Sequence, residues 1–172
     1  MSNAQPVDPT EAEIESVMRA ARVLVGVSAQ SFAVVEDRLT LPQLRVLVMV
    51  TSRGPLRLAA VADGLGVHPS NASRACDRLV VAGLLDRTDD PADRRQLVLR
   101  VTPKGEALVD EVMSTRRATI DRLLSRMAPA DRAALVPALT ALADAADDGF
   151  LRAVWSMGWT TGDDADPSTP RS

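Results

Sequence analysis

The stretch LRLAAVADGLGVHPSNASRACDRLVVAGLL, residues 56–85, contains two helical patterns separated by the segment GLGVHPS. The second pattern has one apolar face, because Ala72, Cys76, Leu79 and Val80 recur at i, i+4, i+7 and i+8. Its opposite face is polar. Two short helices joined by a tight glycine-containing turn, the second with a polar outer face, form a helix-turn-helix.

A predicted β-hairpin follows directly in the sequence LLDRTDDPADRRQLVLRVTPKG, residues 84–105. Leu97, Leu99 and Val101 alternate with their neighbours, close to the period of two of a half-buried strand, and residues 84–87 form a shorter partner. The loop TDDPAD between them has the residues typical of turns. A helix-turn-helix followed by a two-stranded hairpin is a winged helix, and the arginine-bearing loop is then its wing.

Long helices are predicted on both sides of this region. Towards the N-terminus, apolar and small residues at spacings of three and four form the stripe of an amphipathic helix; they are Ile14, Val17, Ala21, Leu24, Ser28, Phe32 and Val35. A second helix starts at Pro42. After the hairpin, a long helix runs from Pro103 to Met127, and a last helix enters through Pro129 and is bent by Pro137.

The predicted fold is therefore mainly α with a small β wing, a winged helix-turn-helix with N- and C-terminal dimerisation helices. Residues 39–105 form the winged-helix region. The apolar stripes of residues 11–38 and 106–159 are longer than a small winged-helix core can cover, so these helices are expected to pack on a second subunit and form a homodimer. Residues 1–10 are expected to be flexible, and residues 160–172 to be a disordered tail.

Composition excludes several classes of function. The 172 residues include one cysteine, Cys76, and one histidine, His68, so an intrachain disulfide is impossible and a multi-ligand zinc site is not expected. No apolar run approaches the roughly 20 residues that span a bilayer, and no signal-peptide pattern is visible, so we expect a cytoplasmic protein without a membrane partner. The sequence shows no nucleophile with a base, no paired carboxylates and no phosphate loop, so no enzyme, cofactor or metal is predicted.

The net charge of −3 is unevenly distributed. Residues 42–105 carry ten basic and six acidic side chains, giving +4, whereas residues 1–41 and 144–172 carry −3 and −4. Local charge, rather than the total, decides whether phosphates are attracted. Nearly all of the basic residues are arginines, which suit bidentate contacts to phosphates and bases, although arginine usage is also high in GC-rich genomes.

These motifs resemble the MarR family of dimeric winged-helix transcription regulators. The likeness is carried by LTLPQLRVLVMV, by the two stretches quoted above, and by Asp-x-Arg at Asp93 and Arg95 before an alternating strand and a Thr-Pro-x-Gly helix start. It covers residues 39–105. The resemblance implies a homodimer that binds double-stranded DNA at an inverted-repeat operator, with each recognition helix in a major groove and each wing in a flanking minor groove.

The second helix of the helix-turn-helix is then the recognition helix. Ser70, Asn71, Ser73 and Arg74 lie in its first turns, where side chains pair with base edges and phosphates. Ser and Asn also favour helix starts, so ordinary capping is the alternative role for Ser70, Asn71 and Ser73. Two further residues are candidates for phosphate contact; they are His68 and Arg78.

The resemblance also gives roles to the wing. Arg95 would enter the minor groove, whose negative potential attracts an arginine, Asp93 would hold its guanidinium, and Arg94 would touch phosphate. The alternative is a solvated hairpin in which these arginines form surface ion pairs with Asp90 or Asp93.

The function expected from this resemblance is sequence-specific transcription regulation, most simply repression relieved by a small molecule. In the family, lipophilic or phenolic ligands bind where the dimer helices meet the DNA-binding lobe. Because the chain has no Tyr, two Phe and two Trp, an aliphatic pocket is favoured over an aromatic one. The competing hypothesis is a winged helix that binds another protein, or a nonspecific DNA-architectural protein.

Two remaining features have alternative interpretations. Cys76 lies on the apolar face of the recognition helix, where a small thiol packs well and stays inert, although some family members sense oxidants through cysteine. Trp155 and Trp159, beyond Phe150, either pack the last helix against its own dimer or form a patch for another partner.

Overall fold

The computed structural model describes residues 8–90 and 96–146. Within these residues the chain forms helices and one two-stranded antiparallel sheet. The elements are α1 (Glu11–Ala33), α2 (Leu41–Arg53), α3 (Leu58–Leu65), α4 (Pro69–Val81), β1 (Leu85–Asp89), β2 (Leu97–Val101), α5 (Pro103–Leu124) and α6 (Pro129–Asp144). The predicted mainly α fold with a small β wing is confirmed.

Residues before several helices satisfy backbone groups at the first turn. Thr10 and Glu13 form a capping box at the start of α1, with the Thr10 N–H donating to Glu13 Oε2 over 2.7 Å. Thr40 and Gln43 repeat this contact over 2.8 Å at the start of α2. Prolines in the first turns of α2, α5 and α6 agree with the predicted helix starts, and α4 also begins with a proline, Pro69.

Helix α2 lies at the centre of the core. Its consecutive residues 46–50 are all buried, so neighbours surround the helix in its second half. Helices α3, α4 and α5 and strand β2 pack against it. The predicted apolar face of α4 is confirmed at Ala72, Cys76 and Leu79, which are buried in this core. Apolar burial of this kind is the main source of folding free energy.

The hairpin joins the core through its stem. Leu85 pairs with Val101 and Asp89 with Leu97. Leu99 and Leu56 exchange both backbone hydrogen bonds, at 2.8 and 3.1 Å, so a residue before α3 extends the small sheet. This contact was not predicted.

The predicted alternation of β2 is wrong at its outer end. Leu97 is 57% exposed, whereas Val98 is 4% exposed and the following Leu99 is 3% exposed. Leu97 pairs with Asp89 at the end of the stem farthest from the start of α5, while Leu99 is part of the hydrophobic core. The core therefore reaches only part of the strand, and a period of two does not describe its burial.

Helices α1 and α5 pack together, whereas α6 has no buried residue. Val27 and Ser31 of α1 are buried, and Arg116 Nε of α5 donates to Ser31 Oγ over 3.3 Å. Helix α5 ends at Leu124, three residues before the predicted Met127. Among the described helices, none combines the length and the apolarity that a membrane span requires. Residues 1–7 of the expected flexible N-terminus (1–10) lie outside the described residues, as do the expected disordered tail (160–172) and the tryptophans at 155 and 159.

The start of α5 approaches the turn after α4 very closely. A Cβ atom at Gly105 would lie 2.2 Å from the carbonyl oxygen of Leu84 and 3.2 Å from Leu47 Cδ1. Thr102 fixes this junction, because its hydroxyl donates to the Gly83 carbonyl over 2.8 Å and accepts from the Gly105 N–H over 3.1 Å. The position therefore has no room for a side chain.

We expect Gly105→Ala to destabilise the protein by about 1–3 kcal/mol, because the helix start must move away from a backbone carbonyl. A thermal melt should show a Tm lower by roughly 2–12 °C for a chain of this size. Asp110→Ala is the matched control, since Asp110 lies on the exposed side of the same helix. Equal melting of the Gly105 variant and the wild type would contradict the close-packed junction.

Candidate DNA-binding surface

Helix α4 has a buried face and an exposed face. Ala72, Cys76 and Leu79 anchor it in the core, and α3 packs beside it across a turn that contains Gly66. Gly66 adopts φ 62°, a left-handed conformation that favours glycine. The Val67 N–H returns to the Ala62 carbonyl over 3.1 Å. This turn sets the angle between the two helices of the helix-turn-helix.

The exposed face brings together most of the predicted recognition residues. Ser70, Asn71, Arg74 and Arg78 are all exposed, and Arg78 follows Arg74 by one helical turn. Ser73 is half-buried, and its hydroxyl donates to Asp77 Oδ2 over 3.4 Å. A helix of this kind presents amides, hydroxyls and guanidinium groups, the donors that pair with base edges and phosphate oxygens.

His68 caps α4. The Ser70 backbone N–H donates to His68 Nδ1 over 3.3 Å, and the Ser70 hydroxyl lies 2.9 Å from the same nitrogen. Pro69 has no N–H, so Ser70 supplies the first amide that needs an acceptor. The N-cap position, considered for Ser70, Asn71 and Ser73, is therefore occupied by His68. A phosphate contact by His68 stays a prediction.

The predicted wing residues Asp93, Arg94 and Arg95 lie outside the described residues. The structure describes the stem that leads to them. The Asp90 N–H donates to the Gln96 carbonyl over 2.8 Å and joins the two ends of the loop.

Sequence reasoning missed two ion pairs between the stem and the helices. Arg87 of β1 contacts Asp77 of α4, and Arg57, which precedes α3, contacts Asp90 over 2.6 Å. Their partners are separated by 10 and 33 residues in the sequence, too far apart for helical or strand periodicity to indicate them. The opposite charges were the only available signal.

The single cysteine lies beneath the exposed face of α4. Cys76 is fully buried, and desolvation raises the pKa of its thiol to about 11. The nearby Arg87 guanidinium lowers the pKa by a smaller amount. The neutral thiol is therefore the form at neutral pH, and a neutral thiol is a poor nucleophile and metal ligand. No cluster of potential metal ligands occurs in residues 8–90 and 96–146.

The fold and this surface define a winged-helix DNA-binding protein. A sequence model described as MarR family matches residues 39–96, which include α2, the helix-turn-helix and the hairpin as far as the start of β2. The chain belongs to the MarR family. Its class of function is DNA-binding transcription regulation.

Among the proteins to which the chain is similar, two match more than four fifths of its length and one matches about half. RV1404 from Mycobacterium tuberculosis is 41% identical, with 84% of this chain and 99% of that chain covered and a TM-score of 0.75. The transcriptional repressor MdtR of Bacillus subtilis is 35% identical over 48% of this chain and 54% of the repressor. Bordetella bronchiseptica BpsR, whose DNA binding is regulated by 6-hydroxynicotinic acid, is 27% identical, with 83% and 100% covered and a TM-score of 0.53.

We predict that Arg74→Ala weakens binding to specific DNA by about 1–3 kcal/mol and relaxes sequence preference, because the lost guanidinium can pair with a base edge. Fluorescence anisotropy with specific and unrelated duplexes measures both effects. Arg117→Ala removes the same charge from the exposed side of α5, far from α4 in the chain, and serves as the control. A uniform loss on all sequences would instead make Arg74 a phosphate contact.

A second prediction concerns the thiol of Cys76. Its pKa rises from 9.0 to about 11 on burial. The neutral thiol therefore contributes to the free energy of unfolding at pH values below the ordinary pKa, and this contribution is lost as the pH rises through about 11. At pH 8 the native thiolate population should be roughly 100-fold below that of the unfolded chain. Iodoacetamide labelling with and without denaturant measures the difference, and Cys76→Ser provides the blank. Equally fast labelling in both states would contradict a buried, inert thiol.

Proposed function

We propose that the protein is a homodimeric, sequence-specific repressor whose affinity for DNA falls when a small molecule binds. One observation carries this proposal. The face of α4 that is free of core contacts is polar and cationic, on a helix whose other face is fully packed. Such a helix can enter a major groove without disturbing the core.

Recognition by α4 follows from the order of its residues. Ser70, Asn71 and Arg74 lie in its first turns, where the recognition helix of a helix-turn-helix meets base edges. We assign Asn71 and Arg74 to bases, because their side chains form bidentate pairs with adenine and guanine. Ser70, Ser73, Arg78 and His68 are then assigned to the phosphate backbone.

The wing is assigned to the minor groove. We propose that Arg95 enters it, that Asp93 orients the Arg95 guanidinium, and that Arg94 binds phosphate. In the described stem, the Asp90 N–H donates to the Gln96 carbonyl, so the two residues that flank this segment are joined.

A second copy of this chain is the proposed partner of the terminal helices. Exposed aliphatic side chains are spread over α1, the end of α5 and α6; they are Ile14, Val17, Met18, Val23, Leu24, Val25, Leu123, Leu124, Val136, Leu139 and Leu142. No residue of α6 is fully buried among the described residues. Soluble proteins seldom leave such surfaces exposed, and a twofold dimer covers equivalent surfaces on both subunits at once. A dimer also presents two recognition helices to an inverted repeat.

A cleft between α1 and α5 is the proposed ligand site. It encloses about 280 Å³ and has both apolar and cationic walls, formed by Val23, Val27, Leu123, Arg122 and Arg126 among others. No aromatic side chain is among its lining residues. Because both helices also carry the proposed dimer surface, a ligand here can change the spacing of the two recognition helices. The similarity to MdtR, a repressor, and to BpsR, whose DNA binding is regulated by a small molecule, supports repression that a ligand relieves.

The first test is binding to the intergenic DNA beside the protein's own gene. Anisotropy titrations with excess unrelated competitor, at two salt concentrations, should give specific binding at least roughly 10³-fold tighter than nonspecific binding. An architectural protein would show little preference, and a protein-binding module would show no salt-dependent DNA binding.

Sedimentation, together with the same titration, tests the dimer. Leu139→Asp places a charge in the exposed apolar stripe of α6 and should give a monomer in sedimentation experiments, with loss of specific binding. Ala134→Asp introduces the same charge elsewhere on that helix and should leave the dimer intact. If the wild type is a monomer and still binds DNA specifically, the proposed dimer is wrong, but the DNA-binding assignment stands.

A further inference from the structure

Two ion pairs attach the hairpin stem to both helices of the helix-turn-helix. In the first, Arg87 of β1 donates from Nη2 to Asp77 Oδ1 on α4. In the second, the Arg57 guanidinium, at the start of α3, donates from Nε over 3.0 Å and from Nη2 over 2.6 Å to Asp90 Oδ2. The charges are reversed between the pairs. On the helix side, α4 supplies the acid in the first pair, and the start of α3 supplies the base in the second.

The first pair lies on the surface proposed to face DNA. Asp77 is one helical turn beyond Ser73, whose hydroxyl donates to its second carboxylate oxygen. An isolated carboxylate there would repel phosphates. The Arg87 guanidinium compensates that charge and at the same time ties the strand to the recognition helix.

The second pair lies at the entrance to the wing loop. Asp90 is only 8% exposed, and its backbone N–H closes the hairpin onto Gln96. Its carboxylate is held by Arg57, the residue next to Leu56, which itself bridges to Leu99 of β2. The base of the loop is therefore fixed both to its own partner strand and to the start of α3.

We propose that Asp77, Arg87, Arg57 and Asp90 are positioning residues for DNA binding, which fix the stem relative to α4 so that helix and wing meet the duplex as one preformed unit. This inference rests on the proposed assignment of α4 and the wing to DNA. The physical reason is preorganisation: an isolated two-stranded hairpin is at best marginally stable, and ordering it during binding costs affinity.

The competing role for Arg87 is a direct phosphate contact, with Asp77 acting only as an opposing charge. The two roles predict opposite signs for Asp77→Asn. A positioning acid weakens DNA binding when it is neutralised, whereas an opposing acid strengthens binding when it is neutralised. The roles also differ in salt dependence, because each lost phosphate contact lowers the slope of log K against log salt by about one.

The experiment uses the full-length protein and a duplex that the wild type selects from a random-sequence pool. Asp77→Asn and Arg87→Gln should each weaken binding about two- to fivefold at fixed salt, the range expected for an exposed ion pair. The double variant should lose no more than either single variant, and the salt slope should stay unchanged. Arg87→Lys, which keeps the charge, should recover most of the affinity.

The second pair is tested in the same way with Arg57→Gln and Arg57→Lys. Two substitutions on the same hairpin are the matched controls. Asp86→Asn neutralises an exposed acid beside Arg87, and Arg100→Gln removes a guanidinium that contacts Thr88 within the hairpin. Neither control touches α3 or α4 in the described contacts, so both should bind DNA like the wild type. Thermal melts of all variants confirm that each is folded.

Tighter or unchanged binding by Asp77→Asn, or a salt slope reduced by about one in Arg87→Gln, would overturn the positioning role while leaving the DNA-binding function intact. A wild type that selects no preferred duplex would overturn the proposed function and the positioning role together. These outcomes are distinguishable in one set of titrations.

Discussion

The close approach at Gly105 is the constraint on which the arrangement of the other elements depends. Three parts of the chain meet there: the turn after α4, the end of the hairpin and the start of α5. The Leu84 carbonyl accepts from the Thr102 N–H over 3.1 Å, and the Thr102 hydroxyl holds the preceding Gly83 carbonyl. Lys104 adds a bond to the Ala82 carbonyl over 2.9 Å. The junction thereby fixes the recognition helix, the wing stem and the long helix with respect to one another.

Electrostatics at the surface differs from what a residue count suggests. The basic central region carries six acidic side chains, and two of these, Asp77 and Asp90, are compensated by arginines in the structure. Both pairs lie between the hairpin and the helices, where an uncompensated carboxylate would oppose a polyanion. The pairing leaves Arg74 and Arg78 exposed on α4 as cations.

Much of the fold could be predicted because its signals are local. Prolines indicated the starts of α2, α5 and α6, and the spacing of Ala72, Cys76 and Leu79 indicated the buried face of α4. The features that the sequence did not predict share a cause, because they depend on contacts between residues that are distant in the chain. The Leu56 bridge to Leu99 and the exposure of Leu97 depend on how far the core extends along the stem, and no local period encodes that extent.

The candidate site was predictable to a similar degree. The exposed face of α4 followed from helical periodicity, whereas His68 as its cap did not, since histidine is not among the preferred capping residues. The ion pairs of Arg87 and Arg57 join residues that only the folded chain brings together. The wing residues 93–95 lie outside the described residues, and their role stays a proposal.

The separation of α4 into a packed face and an exposed face has a consequence for how such a regulator diversifies. Substitutions at exposed positions away from caps and ion pairs usually change stability by less than about 0.5 kcal/mol. Asn71 and Arg74 are therefore open to replacement, while Cys76 and Leu79 are held by the core. With α4 assigned to DNA as proposed, a duplicated copy of this gene can acquire a new DNA target through a few changes on one side of a single helix, and its descendants can keep the same scaffold while controlling different genes.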